Sequence, residues 1–307
     1  MRSVTALPSR IQLVEVAPRD GLQAEARILT TEAKLELISR LADAGHTIIE
    51  ATSLVSAAAV PQLADAEELL RRLGRRAGVR YPVLVPNEKG LERALASGVD
   101  EIAVFASASD SYSRKNLGRP RDEALAAYAP VVRRAKDAGK RVRGYLSMVI
   151  ADPWDGPTSH QTVLECCQRL LDFGCDDLSL GDTTGVGAAG EVDALLGSLL
   201  EAGIPVAKIA MHFHDTYGQA LANVMAAMAR GVTTFDTSTG GIGGSPFAKM
   251  AGGNLATEDL LWLCHGSGVT TGVDLGATIS TARWLSGELG HELPAHVSRA
   301  APSDAPA

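Results

Sequence analysis

His212 and His214 sit two residues apart in Met211-His212-Phe213-His214-Asp215, after an apolar run that reads as a short strand. Successive side chains of a strand alternate faces, so both imidazoles point the same way. Two imidazoles on one rigid face can grip one metal ion. A hydrogen-bonded histidine pair near a strand end is the plain alternative. Pro18-Arg19-Asp20-Gly21-Leu22-Gln23 adds a cation, a carboxylate and an amide at another strand end. A surface ion pair would explain that segment. A site would use Asp20 as a carboxylate ligand and Arg19 to stabilise charge growing on a carbonyl oxygen. Asn254, in Gly252-Gly253-Asn254-Leu255-Ala256-Thr257, is either a helix N-cap or a source of amide oxygen for a metal. Two imidazoles, one carboxylate and one amide oxygen suit an octahedral divalent ion, Mg²⁺ or Mn²⁺ before Zn²⁺. Such an ion can hold a hydroxyl and a carbonyl side by side as a Lewis acid.

Two glycine-rich stretches need their own reading. Gly185-Val186-Gly187-Ala188-Ala189-Gly190 matches G-x-G-x-x-G. A dinucleotide site needs that motif in an early βαβ unit, and here it follows the sixth strand. A tight loop that leaves Asp182 exposed is expected instead. Gly240-Gly241-Ile242-Gly243-Gly244-Ser245-Pro246-Phe247 follows the last strand and reads as a mobile or closely approaching loop, or as a plain linker. No P-loop or G-x-S-x-G sequence is present.

A serial α/β array must position these residues. Strand-like segments fall at 11–16, 47–51, 81–85, 101–106, 141–149, 177–180, 209–213 and 233–237. Helical patterns lie between them at 32–44, 62–73, 87–97, 122–138, 158–173, 190–202 and 219–230, with further helices near 258–266 and 277–290. Parallel neighbours need crossover helices, so eight β–α units predict a parallel sheet. The number eight and a length of 307 residues favour a (β/α)8 TIM barrel with extra C-terminal helices. One catalytic domain is expected over 1–297, with a disordered tail at 298–307. Arg19, Asp20, Glu50, Asn87, Ser107, Ser109, Asp182, Thr183, His212, His214 and Ser238 then all fall at C-terminal strand ends. Barrel enzymes keep their active sites on that face.

Composition excludes several classes. A net charge of −7 without a basic block disfavours nucleic acid as the main partner. There is no run of about 18 apolar residues to span a membrane. The first residues lack the apolar region of a secretory signal. Cys166, Cys167, Cys175 and Cys264 match no zinc spacing and read as reduced thiols of a cytoplasmic protein.

Long, ordered motifs carry a family resemblance. Val14-Glu15-Val16-Ala17-Pro18-Arg19-Asp20-Gly21-Leu22-Gln23, Tyr81-Pro82-Val83-Leu84-Val85-Pro86-Asn87, Ser179-Leu180-Gly181-Asp182-Thr183, His212-Phe213-His214-Asp215-Thr216-Tyr217-Gly218-Gln219 and Gly253-Asn254-Leu255-Ala256-Thr257-Glu258-Asp259 resemble hydroxymethylglutaryl-CoA lyases. The resemblance runs over about 14–272. It implies a barrel lyase related to the aldol and Claisen enzymes, with Asp20, His212, His214 and Asn254 holding Mg²⁺ or Mn²⁺. It implies retro-Claisen cleavage of 3-hydroxy-3-methylglutaryl-CoA to acetyl-CoA and acetoacetate. Arg19 would stabilise the thioester enolate, with Glu50 and Asp182 as active-site carboxylates. Arg19, Gln23, Asp182 and Thr183 would contact the acyl-CoA, and His212 and Ser245 would complete the catalytic set. A homodimer is implied as well.

Three departures from the family pattern lie in loops on the reactive face. Ser245 stands where the family carries a cysteine in GGCP, and a hydroxyl is a far weaker acid than a thiol. Val55-Ser56-Ala57-Ala58-Ala59-Val60-Pro61-Gln62 lacks the lysine and tryptophan of VSPKWVPQ. Ala151-Asp152-Pro153-Trp154-Asp155-Gly156 replaces GCPYEG. The metal core is expected to persist while the acyl pocket or the proton relay changes. Citramalyl- or methylmalyl-CoA, or the condensing direction, are therefore alternatives. A metal-dependent hydrolase and a metal-binding barrel without catalysis are readings from other classes.

Overall fold

The computed structural model describes residues 7–244 and 252–302. Eight parallel strands form one sheet: β1 (Gln12–Glu15), β2 (Thr52–Ser53), β3 (Val83–Leu84), β4 (Glu101–Ser107), β5 (Arg141–Ser147), β6 (Asp177–Asp182), β7 (Ile209–Phe213) and β8 (Thr234–Thr237). Their spatial order is β1-β8-β7-β6-β5-β4-β3-β2. The ring closes at Glu15, which pairs with Ile49 just ahead of β2. There Glu15 N donates to Ile48 O at 3.0 Å and Glu50 N to Glu15 O at 2.9 Å. Closure removes the open edges that a sheet must otherwise protect. The expected TIM barrel is therefore observed.

The helices wrap the barrel because each carries one apolar face. Leu37, Ile38 and Leu41 form the buried stripe of Thr31–Asp43, and Thr30 caps that helix by accepting from Ala33 N. Leu125, Val131, Val132 and Ala135 do the same for Arg121–Asp137. Each such leucine, isoleucine or valine contributes roughly 1.5–3 kcal/mol on burial. The four cysteines are buried and unpaired, as thiols packed in a core. No helix among the described residues is long and apolar enough to cross a membrane.

Differences from the sequence reading are local. The segment 47–51 makes only single bridges at Ile48 and Ile49, and the regular ladder starts at Thr52. The helix Asp110–Leu117 was not expected; only Tyr112 and Ser113 of it are buried, so it has no apolar stripe to read. Ser109 is its cap and accepts from Tyr112 N at 2.9 Å. A small hairpin, Ala151–Asp152 with Gly156–Pro157, folds over Asp152, whose carboxylate accepts from Trp154 N and Asp155 N. The tail expected to begin at Ser298 instead includes a helix, His296–Ala300. Asp259 accepts from its His296 N and Val297 N. Residues 303–307 lie outside the described residues.

Two buried carboxyls fix the turn that leaves β8. Glu15 accepts from Thr239 N, Thr239 Oγ1 and Thr257 Oγ1. Glu258 accepts from Gly240 N at 3.0 Å and from Ser298 Oγ at 2.8 Å. Burial pushes the Glu258 carboxyl up to about 7, against the pull of its hydrogen bonds. A carboxyl raised in this way holds its proton better in the folded chain than in the unfolded one. Its contribution is full below about 4.5 and is lost as pH rises through about 7. Ionising it in place costs on the order of 3 kcal/mol. Glu258→Gln should therefore flatten the fall in thermal midpoint between pH 4.5 and pH 7.5. A midpoint that falls as steeply as in the parent would contradict this assignment.

Candidate active site

The segment after β1 folds into a wide turn, Ala17–Gly21, instead of a simple strand end. Arg19 N, Asp20 N and Gly21 N all bond to Val16 O, at 3.1, 2.8 and 3.1 Å. This turn carries Arg19 and Asp20 over the C-terminal end of the barrel. Arg19 is 6% exposed, so it is a buried cation rather than a surface one. Its Nε donates to Glu50 Oε2 at 2.6 Å and its Nη1 to Asp20 Oδ1 at 2.5 Å. Its guanidinium also lies 5.4 Å from the centroid of the Tyr145 ring. The surface ion-pair alternative is thereby excluded.

His212 and His214 share one face, as the strand period requires, with their Nε2 atoms 3.1 Å apart. Asp20 joins them, and the ligand atoms of all three lie within 4.8 Å of one another. His214 Nδ1 lies 3.0 Å from Gly252 O. A carbonyl oxygen can only accept, so Nδ1 carries the proton and the Nε2 lone pair is bare. Burial and the neighbouring His212 pull the His214 imidazole down to about 4, which keeps it neutral near pH 7. Burial also lowers His212, but the hydrogen bond and charge of Asp236 and the charge of Asp20 outweigh it, and the net shift is upward. Burial raises Asp20, yet Arg19, both histidines and a hydrogen bond from Asn254 hold it at about 2.

Asn254 is not a helix cap, because the following helix starts at Thr257 with Ala256 before it. Its Nδ2 donates to Asp20 Oδ2 at 2.8 Å and to Ile242 O at 3.1 Å. Its Oδ1 is buried without a partner among the described residues. Two glycines allow the close packing here, one against this side chain and one against the backbone of Gly241. At Gly243, with φ +127°, a Cβ would lie 2.2 Å from Asn254 Nδ2. At Gly253 a Cβ would lie 2.0 Å from Gly241 O.

A cavity of about 940 Å³ opens from this cluster. Arg19, Asp20, Gln23, Thr183, His212 and His214 line its inner part, and Tyr112, Asn116, Arg119 and Tyr128 lie along its wall. Asn87 borders it too, while capping the helix Glu88–Ala96 through Gly90 N. Thr183 Oγ1 accepts from Met148 N at 3.1 Å.

Two expected residues sit differently. Asp182 is fully buried rather than exposed, and it is not among the cavity-lining residues. Its Oδ2 accepts from Gly187 N at 2.8 Å, so the G-x-G-x-x-G stretch folds around the carboxylate and covers it. Burial raises its carboxyl despite the backbone N–H groups of Gly187, Val186 and Gly185. Glu50 is also fully buried; burial raises it against the charge of Arg19, and it holds Arg19 instead of lining the cavity. Ser245 lies outside the described residues.

The sequence reading missed a polar layer beneath the histidines. Asp236 accepts from Arg143 Nη2 at 2.5 Å and from Ser179 Oγ at 2.7 Å, and lies 3.2 Å from His212 Nδ1. Tyr145 OH donates to Glu50 Oε2 at 3.3 Å. A charged residue in the middle of a barrel strand was the signal available. Such residues are almost never buried without partners, and here they partner each other.

Known proteins are similar to this chain in sequence and fold. The HMGL-like family model matches residues 10–285. A Danio rerio protein named 3-hydroxy-3-methylglutaryl-CoA lyase, cytoplasmic, is 45% identical over 294 residues, covering 96% of this chain and 88% of its own. The crystal structure of hydroxymethylglutaryl-CoA lyase from Pseudomonas aeruginosa is similar at TM-score 0.93 and 42% identity, covering 96% of this chain and 98% of its own. An HMG-CoA lyase from Acinetobacter baumannii, solved in complex with coenzyme A and 3-methylmalate, is similar at TM-score 0.92 and 32% identity, over 100% of this chain and 99% of its own. With the histidine pair, Arg19, Asp20 and Asn254 all inside the matched span, the chain belongs to the HMGL-like family.

Proposed function

We propose that this protein is a carbon–carbon lyase that cleaves 3-hydroxy-3-methylglutaryl-CoA to acetyl-CoA and acetoacetate. The observation that carries the proposal is the convergence of Asp20, His212 and His214 beside Arg19 in one cavity. Asp20, His212, His214 and Asn254 would hold a divalent cation there. Their chemistry fits one: carboxylate, bare imidazole nitrogen and an unpartnered amide oxygen are all lone-pair donors. The oxygen share favours Mg²⁺ or Mn²⁺ over Zn²⁺. When bound, the ion supplies Lewis acidity to oxygen atoms of the substrate.

In the cleavage, the 3-hydroxyl loses its proton and the C2–C3 bond breaks. The bonding electrons move to C2, and the thioester carries the charge as an enolate until C2 is protonated. Arg19 would meet that enolate oxygen. Two of its nitrogens are locked by Glu50 and Asp20, and Nη2 has no protein partner among the described residues. A fixed donor of this kind needs no reorganisation as charge develops. Glu50 acts through Arg19, and Asp182 acts through the loop it gathers. Gln23 and Thr183 border the space the acyl group would occupy. Ser245 is the proposed proton carrier for C2. The nucleotide handle of the thioester would run along the wall that holds Tyr112, Asn116 and Arg119. The four unpaired thiols support the cytoplasm as the compartment.

A second reading keeps this chemistry and changes the acyl group to methylmalyl- or citramalyl-CoA. The coenzyme A and 3-methylmalate bound by the Acinetobacter baumannii relative favour it.

Purified protein loaded with Mg²⁺ or Mn²⁺ should cleave hydroxymethylglutaryl-CoA, lose activity to a chelator and regain it when the ion is returned. Cleavage of methylmalyl-CoA with none of hydroxymethylglutaryl-CoA would select the second reading. Chelator-resistant turnover would refute the metal assignment. Arg19→Gln should lower kcat by about 100-fold or more. An unchanged kcat would remove Arg19 from the transition state. Ser245→Cys should raise turnover if proton delivery to C2 limits the rate. Equal rates would show that this step does not.

A further inference from the structure

Strands β5 to β8 meet in a set of side chains that the cleavage scheme leaves without a task. His212 on β7 is paired in register with Asp236 on β8. Gly181 on β6 is the other partner of His212, and Ser179 lies two residues before it on the same face. Tyr145 on β5 is opposite Ser179, and Arg143 lies two residues before Tyr145. The strand period therefore brings Arg143, Ser179 and Asp236 into one interior layer directly beneath His212. Asp236 is 2% exposed, Arg143 3% and Ser179 0%.

Donors and acceptors in this layer can be assigned from chemistry alone. Arg143 has no acceptor atom, so Nη2 donates to Asp236 Oδ1 at 2.5 Å. Ser179 Oγ donates to Asp236 Oδ2 at 2.7 Å. An oxygen on each side of the carboxyl is thus occupied by a donor, and a full positive charge faces one of them. An ionised carboxylate satisfies both; a protonated one would set its own O–H against a donor. An ionised Asp236 can only accept, so the contact of 3.2 Å to His212 requires the proton on Nδ1. In the neutral imidazole Nε2 is then a bare lone pair, facing His214 Nε2 at 3.1 Å and Asp20 Oδ2 at 4.0 Å.

We propose that Asp236, anchored by Arg143 and Ser179, is a positioning residue that locks His212 as the Nδ1–H tautomer and aims its Nε2 at the cation site. The inference rests on the metal reading above only in naming what Nε2 faces. Without the lock, His212 could turn an N–H toward the bare Nε2 of His214. That would satisfy the pair by a hydrogen bond and close the site to a cation. Arg143 has a second effect. It places a buried positive charge below a cluster that already holds the carboxylates of Asp20, Glu50 and Asp236.

The first test needs no variant. Long-range proton–nitrogen correlation on ¹⁵N-histidine-labelled protein, in alkaline buffer and free of metal, should show His212 protonated on Nδ1. Protonation on Nε2 would overturn the proposal. The second test is Mn²⁺ binding by calorimetry for the parent and Asp236→Asn. An amide at 236 can donate to Nδ1 and invert the tautomer. Mn²⁺ affinity should fall by about 10- to 100-fold, the effect expected when the partner of a ligating histidine is removed. KM for the thioester should change much less than kcat, because Asp236 lines no part of the cavity. Parent-like Mn²⁺ affinity in a folded Asp236→Asn would refute the lock. If the parent itself binds no Mn²⁺, the proposed function fails, and the tautomer measurement still decides the role of Asp236.

Discussion

Three lone-pair-bearing groups, Asp20, His212 and His214, are held within 4.8 Å of one another in a mostly buried place. Nothing in their own chemistry makes that favourable. With both imidazoles neutral, their Nε2 lone pairs and the Asp20 carboxylate face one another, and a shared proton or a cation is needed to satisfy them. The rest of the site consists of devices that hold them there. Arg19 offsets Asp20 from one side, and Arg143 offsets Asp236 below. Gly252 O fixes the ring of His214 through Nδ1. A cation would satisfy this arrangement by charge and by lone-pair count, and the proposed chemistry is centred on it.

The barrel explains how such a cluster can persist. Its interior layer is built from alternate positions on neighbouring parallel strands, so register alone sets which side chains meet. His212 faces Asp236 because β7 and β8 pair at those residues. Arg19 reaches the same space from β1 because a wide turn follows that strand. Glu50 meets Arg19 because the ring closes at Glu15 and Ile49. Removing one member of a buried pair such as Arg19–Glu50 leaves an uncompensated charge, which typically costs 3–5 kcal/mol. Fold stability and site geometry are therefore the same set of interactions read twice.

Much of this is legible in the sequence. The alternation of eight strands and helices, the C-terminal placement of Arg19, Asp20, His212 and His214, and the HxH period all follow from spacing. Asn254 was ambiguous because asparagine before a helix caps it as often as it does anything else; only the helix start at Thr257 decides. Asp182 was read as exposed because a glycine loop follows it, whereas that loop folds onto the carboxylate. Its backbone N–H groups are invisible to residue-type reasoning. The Arg143–Asp236–His212 layer was missed because it depends on the lateral register of β5 to β8, which a single sequence does not encode locally. The helix Asp110–Leu117 escaped because it buries too little to show a period.

The most direct measurement is anomalous diffraction from crystals of the protein grown with Mn²⁺. One strong peak per chain is expected, within coordination distance of Asp20, His212 and His214, with Asn254 Oδ1 turned toward it. A peak at another cluster, or none at this one under saturating Mn²⁺, would contradict it. The convergence of those side chains would then have to be explained by hydrogen bonding alone.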